Sequence, residues 1–119
     1  MLFVVLMILQ LRSSPMRIGE LVHGLHSLMR AARAQKGFIT CGIYLDADAE
    51  GAICYEERWE TRQDLEEQLR SSRFTHLLDL MESAKEQPSL EFHFVSETRG
   101  LDYVAAVRDE ETTVNRGAN

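Results

Sequence analysis

The chain has 119 residues, of which 45% are hydrophobic and 27% are charged, and its formal net charge is −6. This length supports one hydrophobic core, and an acidic balance without a dense basic patch argues against a nucleic-acid or anionic-membrane surface. We therefore expect one domain over residues 1–108, followed by a polar C-terminal tail over residues 109–119.

The chain opens with the apolar run MLFVVLMIL. This run lacks the basic start and the small-residue cleavage site of a signal peptide, and it is too short to span a bilayer. Its length is typical of a strand that is buried on both faces, which we predict from Leu2 to Leu11. We expect the protein to be cytoplasmic.

An amphipathic helix is predicted next. Ser14 can cap it, and Pro15 then takes the first helical position, where its missing N–H costs nothing. Apolar residues recur at helical spacing, and they are Ile18, Leu21, Val22, Leu25, Leu28, Met29 and Ala32. Gly37 is the predicted end of the helix.

The segments 38–45 and 52–60 predict a β-hairpin, because both are rich in β-branched, aromatic and apolar residues and they flank a turn-forming segment. Cys41 and Cys54 fall in the two strands. Their spacing includes no CxxC motif and no histidine partner. We interpret them as two small buried thiols.

A second long helix is predicted from Gln63 to about Lys85. Thr61 and Asp64 have the spacing of a capping box at its start. The helix is expected to bend or restart at Ser71-Ser72, with Ser72 as the cap of the second segment. Beyond Pro88, alternating residues predict a last strand around Phe92, and residues 101–108 predict a short helix or edge strand.

The predicted order of elements is βαββαβ, which is the ferredoxin-like α+β arrangement with an antiparallel sheet and two helices on one face. The first strand carries apolar residues on both sides, so the sheet face without helices also needs cover. Leaving such side chains in water would forfeit about 1.5–3 kcal/mol each. We therefore expect a homodimer in which two sheets close face to face.

Three features resemble the antibiotic biosynthesis monooxygenase (ABM) family: the strand pattern Glu57-x-Trp59, the polar Gln68 facing inward from a helix, and the break at Ser71-Ser72 before Phe74. The resemblance implies a dimeric α/β barrel with a pocket between sheet and helices. It also implies oxygen chemistry on quinol-like or polyphenolic aromatic compounds with no flavin and no permanent metal. We accordingly expect no cofactor and no metal site.

Four residues are the candidates for this site. Trp59 matches the strand-end tryptophan of the family, and Tyr55 shares its strand face, so both are candidate clamps for an aromatic substrate; the alternative for both is an ordinary core or dimer contact. Gln68 falls where many quinol-oxidising members have histidine, so it is a candidate orienting amide; the alternative is a buried structural hydrogen bond. His93 is the candidate proton acceptor.

The other titratable residues favour structural roles. Glu57 is expected to pair with an arginine, such as Arg12 or Arg58, because a buried carboxylate needs a partner. His23 and His76 are expected in solvent, and no carboxylate completes a metal site beside the histidines. The resemblance also places Leu78, rather than a histidine, at the ligand position of the haem-degrading branch, which argues against haem.

Two functions therefore compete. The first is a cofactor-independent monooxygenase or oxidase of an aromatic compound, and the alternative is a non-catalytic small-molecule-binding or stress-associated module on the same barrel. Gln68 in place of histidine is the feature that favours the alternative, because an amide exchanges no proton near neutral pH.

Overall fold

A computed structural model describes residues 4–118 of the chain, with side chains described for residues 4–110. The strands are β1 (Val4–Arg12), β2 (Phe38–Leu45), β3 (Ala52–Trp59) and β4 (Ser89–Val95). The helices are α1 (Ile18–Ala32), α2 (Arg62–Leu69), α3 (Ser72–Glu82) and α4 (Leu101–Ala118). The predicted start of the first strand at Leu2 lies outside the described residues.

The four strands form one sheet in the order β2-β3-β1-β4, with every neighbouring pair antiparallel. Helix α1 connects β1 to β2, and the α2–α3 pair connects β3 to β4. This is the ferredoxin-like α+β arrangement that the order of elements predicts, and it is confirmed.

The two faces of the sheet differ in what covers them. The helix-covered face holds the core, which includes Val5, Met7, Leu9 and Leu11 of β1 and Ile53, Tyr55 and Trp59 of β3. The open face carries Val4, Leu6 and Ile8, which are half-buried. The split of the β1 side chains follows the period of two in a strand.

Helix α1 begins later than predicted. The Arg17 N–H donates to the Ser14 carbonyl at 3.1 Å, so residues 14–17 form a turn and Pro15 lies inside it. The helix starts at Ile18 with no side-chain cap. It also ends early, at Ala32, and Gly37 instead makes the turn into β2 with φ of 82°, a conformation that favours glycine.

The predicted second helix is two helices. Thr61 caps α2 by accepting from the Asp64 N–H at 3.0 Å, as the capping box predicts. Helix α2 ends at Leu69, and the N-cap of α3 is Ser71 rather than the predicted Ser72. The Ser71 hydroxyl accepts from the Phe74 N–H at 3.4 Å, which is the bond from Ncap to N3 that an N-cap serine makes.

Helix α4 resolves the predicted choice for residues 101–108 in favour of a helix, and it continues across residue 109 to Ala118. It packs extensively on no other described element. Leu101, Val104 and Val107 are 42–86% exposed on it. Among the described residues, no helix has the length and hydropathy to cross a bilayer.

Candidate functional site

A buried glutamate lies at the centre of the helix-covered face. Tyr55, Glu57 and Trp59 alternate along β3 with a period of two, so all three side chains point toward the helices. Each is 0% exposed. An ionised carboxylate in such a place requires a cation and several hydrogen bonds.

Arg73 from α3 supplies that cation. Its Nη1 lies 2.7 Å from Glu57 Oε2 and its Nη2 lies 3.0 Å from Glu57 Oε1, which is a bidentate pair. Trp59 Nε1 donates to Oε1 at 3.0 Å, and the Tyr55 hydroxyl donates to Oε2. Both carboxylate oxygens therefore accept two bonds each.

Gln68 from α2 fixes the other side of Arg73. Arg73 Nε donates to Gln68 Oε1 at 3.1 Å, and Arg73 Nη1 also reaches the Leu28 carbonyl of α1 at 3.5 Å. The amide nitrogen of Gln68 lies 3.5 Å from Gln35 Oε1. We call Tyr55, Glu57, Trp59, Gln68 and Arg73 the Glu57 cluster; it joins α1, α2 and α3 to β3.

Charge and burial act on the pKa values of Tyr55 and Arg73. Burial raises the pKa of Tyr55 far above its ordinary value, and the Glu57 charge raises it further. Burial alone would lower the pKa of Arg73, but the hydrogen bonds and charge of Glu57 raise it overall. Near neutral pH Tyr55 and Arg73 therefore both keep their protons.

The sequence predicted an arginine partner for Glu57 but named Arg12 or Arg58, and this is wrong. Both lie on the open face, because their positions alternate with the buried ones. The actual partner, Arg73, precedes the buried Leu77 by four residues, so it lies on the apolar side of α3. An arginine on an apolar stripe was the signal that could have identified it.

An open groove lies beside the cluster, between α1 and α3, with a volume of about 460 Å³. Gly24 and Leu28 contribute from α1, and Ser72, Arg73, His76 and Leu80 from α3. Arg73 is the link between the two features, because its side chain lines the groove while its donors bind the cluster. The side chain of Arg73 is only 10% exposed.

The structure brings three of the four predicted site residues together and separates the fourth. Tyr55, Trp59 and Gln68 belong to the Glu57 cluster, whereas His93 lies on the open face, opposite Leu6 of β1. The His93 side chain is 46% exposed, and its Nε2 lies 3.0 Å from Glu91 Oε2. Within one chain, the sheet separates His93 from the cluster.

The remaining candidate metal ligands are dispersed. His23, His26 and His76 are exposed, as predicted for His23 and His76. Cys41 and Cys54 are free and half-buried thiols, and burial raises the pKa of both. Among the side chains described, those of residues 4–110, no group of three or more His, Cys, Asp or Glu is placed to hold a metal ion.

No family model matches the sequence, and no curated protein matches it. Solved structures do match. A proposed antibiotic biosynthesis monooxygenase from Deinococcus radiodurans has a TM-score of 0.73 at 16% identity, covering 81% of this chain and 96% of that one.

A second protein proposed to have that activity, from Nitrosomonas europaea, has a TM-score of 0.71 at 12% identity and covers 82% and 94% of the two chains. The Rv0793 protein from Mycobacterium tuberculosis has a TM-score of 0.71 at 19% identity, with coverage of 82% and 99%. At these identities the likeness concerns the fold.

Proposed function

Because the chain has the fold of the antibiotic biosynthesis monooxygenases, we propose that it is a cofactor-independent monooxygenase of a quinol-like or polyphenolic aromatic compound. The site is the groove between α1 and α3. The observation that carries the proposal is the position of His76, which lines the groove together with Arg73 and so sets a titratable group beside the Glu57 cluster.

In the proposed reaction, His76 accepts a proton from a substrate hydroxyl or activated methylene. The substrate anion then gives electrons to dioxygen. Oxidation of a methylene to a carbonyl consumes one dioxygen and releases one water. Asp79 lines the same groove three residues after His76, and residues at this spacing are neighbours on a helix, so its carboxylate stabilises the imidazolium that forms.

The Glu57 cluster has a positioning role in this proposal. Arg73 and Glu57 neutralise each other, so the groove end beside them favours an uncharged ligand until the proton transfer occurs. Tyr55 and Trp59 hold the carboxylate, and Gln68 holds the guanidinium. The aromatic clamps predicted from the sequence act in the proposal through Arg73 rather than on the substrate directly.

The test compares two histidines. His76→Gln should lower the oxygen uptake with reduced naphthoquinones or anthrones by about 10²–10⁴ in kcat, which is the usual value of one acid–base group. His93→Gln is the matched control and also tests the prediction from sequence. If only His93→Gln abolishes oxygen uptake, the groove is not the site. The site would then lie on the open face, where His93 is.

We also propose that two copies stack their open faces into a dimer. Register places Glu56 and Glu91 on either side of Ile8, and Arg58 and His93 on either side of Leu6. Glu56 and Glu91 thus form an acidic row across the strands, and Arg58 and His93 form a basic row. The two rows are about 7 Å apart along the strands. A two-fold axis between the rows and parallel to them sets each acidic row against the partner's basic row.

The alternative function is a binding module without catalysis. It is favoured by the closed hydrogen bonding of Gln68, whose oxygen and nitrogen both have side-chain partners. Inert wild-type and Gln68→His proteins that still bind an aromatic diol by calorimetry would establish this alternative. For either function we propose the cytoplasm, where the two free thiols would stay reduced.

A further inference from the structure

We propose that Gly24 and Leu80 together set the length of the aromatic compound that the α1/α3 groove accepts, an inference that rests on the proposed function. Both residues line the groove, from opposite helices. A Cβ atom added to Gly24 would lie 2.9 Å from Leu80 Cδ2 and 3.0 Å from Leu80 Cδ1. The missing side chain is therefore what lets the tip of Leu80 lie against α1.

Gly24 and Leu80 lie at one end of the groove. The other end is fixed by the contact between Arg73 Nη1 and the Leu28 carbonyl. Since Gly24 is one turn before Leu28 in α1, and Leu80 is two turns after Arg73 in α3, the helices run antiparallel. The groove thus has Ser72 and Arg73 at one end and Gly24 and Leu80 at the other, where Asp79 also contributes to the lining.

An aromatic diol with its hydroxyls on a terminal ring fits this arrangement. Its hydroxyls lie toward Ser72 and His76, and its fused rings extend toward the side chain of Leu80. The end of the ring system then meets the contact between Gly24 and Leu80. Compounds with more fused rings reach this contact, whereas shorter compounds stop before it.

A side chain at residue 24 would shorten the groove without unfolding the protein. The δ-carbons of Leu80 are the flexible tip of a side chain, so they can move away from a new Cβ. Leu80 already packs on the core formed by residues such as Leu25 and Leu77. Because that core is filled, the tip has to move into the groove.

The experiment measures binding by calorimetry under anaerobic conditions, so that it does not depend on turnover. The probes are 1,4-dihydroxynaphthalene, with two fused rings, and 1,4-dihydroxyanthracene, with three; both carry their hydroxyls on one terminal ring. Gly24→Ala should weaken binding of the three-ring diol by about tenfold or more, the usual effect of one methylene-sized change in an apolar pocket. Binding of the two-ring diol should change by less than about threefold on the same reasoning.

Two further variants approach the contact from the other helix. Leu80→Phe lengthens the side chain without adding an atom to α1, and it should give the same selective loss of the three-ring diol. Leu80→Ala removes the obstruction, so Gly24→Ala/Leu80→Ala should restore binding of the three-ring diol. The matched control is Gly19→Ala, because a Cβ there meets no atom within 4 Å; its affinities should equal those of the wild type.

The outcomes separate this inference from the proposed function. Selective loss of three-ring diol binding in Gly24→Ala or Leu80→Phe supports it. If every variant binds both diols with the affinity of the wild type, the length rule is overturned while the groove remains the site. A wild-type protein that binds neither probe would overturn both.

Discussion

The two faces of the sheet place the same residue type in opposite conditions. Glu57 on the helix-covered face is 0% exposed and accepts bonds from Tyr55, Trp59 and Arg73. Glu91 on the open face has a side chain that is 62% exposed and contacts only His93 among the side-chain partners observed. Both carboxylates have a cationic or titratable partner within 3.0 Å.

The comparison shows that the distance between the charged atoms does not by itself determine how much an ion pair contributes to stability. Breaking a buried pair leaves a charge without solvent, whereas breaking an exposed pair returns both groups to water. The helix-covered face should therefore depend strongly on single side chains, and the open face should depend on what is placed against it.

The largest effect is expected from breaking the buried pair. Arg73→Met leaves the Glu57 charge uncompensated and should lower the free energy of unfolding by about 3–5 kcal/mol. Arg12→Met is the matched control, because Arg12 makes a 3.9 Å pair with Glu86 in which both side chains are more than 40% exposed. The measurement is urea unfolding; equal losses in the two variants would contradict the comparison.

The second effect concerns association. Leu6→Asp puts a carboxylate in the centre of the open face and should weaken dimer formation by at least about a hundredfold, or 2.7 kcal/mol, because the charge would be buried without a partner. Light scattering should give close to twice the chain mass of 13.6 kDa for the wild type and one chain mass for the variant.

Leu78→Asp is the control for this change, since Leu78 is 42% exposed on α3 and away from the open face. It should remain dimeric. A wild-type protein that is monomeric at micromolar concentration would contradict the proposed dimer.

The third effect is a pH dependence of the helix-covered face. Burial and Glu57 raise the pKa of Tyr55 in the folded state, whereas tyrosine in the unfolded chain has a pKa of about 10. Above that pH the unfolded chain has released a proton that the folded chain keeps. Stability should therefore fall as the pH rises, by about 1.4 kcal/mol per pH unit for this one group.

Tyr55→Phe should remove that contribution to the slope, although it also deletes a hydrogen bond and lowers stability at neutral pH. Tyr44→Phe is the control, because Tyr44 is 55% exposed on the open face. Unfolding free energies from pH 7 to 11 give both slopes. An unchanged slope in Tyr55→Phe would mean that the phenol is not held by Glu57.

The smallest effect is expected from the exposed pair. Glu91→Gln removes the partner of His93, and exposed pairs contribute about 0–1 kcal/mol. The change, measured at a protein concentration where light scattering gives one chain mass, should shrink further in 1 M salt, where the screening length is about 3 Å. A loss above about 2 kcal/mol would place Glu91 in a buried network instead.

The sequence was informative where local rules decide the outcome. The period of two put Tyr55, Glu57 and Trp59 on one face, and the helical stripe brought Gln68 inward. The Thr61 cap also follows from neighbouring residues. These features depend on spacing within one element, and spacing is visible in a sequence.

The sequence failed where two elements have to meet. The partner of Glu57 comes from α3, sixteen residues away in the chain, and no local pattern selects Arg73 over Arg58. The groove likewise forms only when α1 lies beside α3. The alternation around Phe92 did put His93 on the opposite side of the last strand, but which side the helices cover was not available from the pattern.

Gly37 has a consequence for how this fold can vary. Its φ is 82°, and a Cβ there would lie 2.1 Å from Asp64 Oδ2. Two independent barriers, one of backbone and one of volume, thus forbid any side chain at this position, whereas Gly19 in α1 faces open space. In a saturation library selected for folding, residue 37 should stay glycine while residue 19 accepts most side chains, so the connection between α1 and β2 should tolerate little sequence change at residue 37.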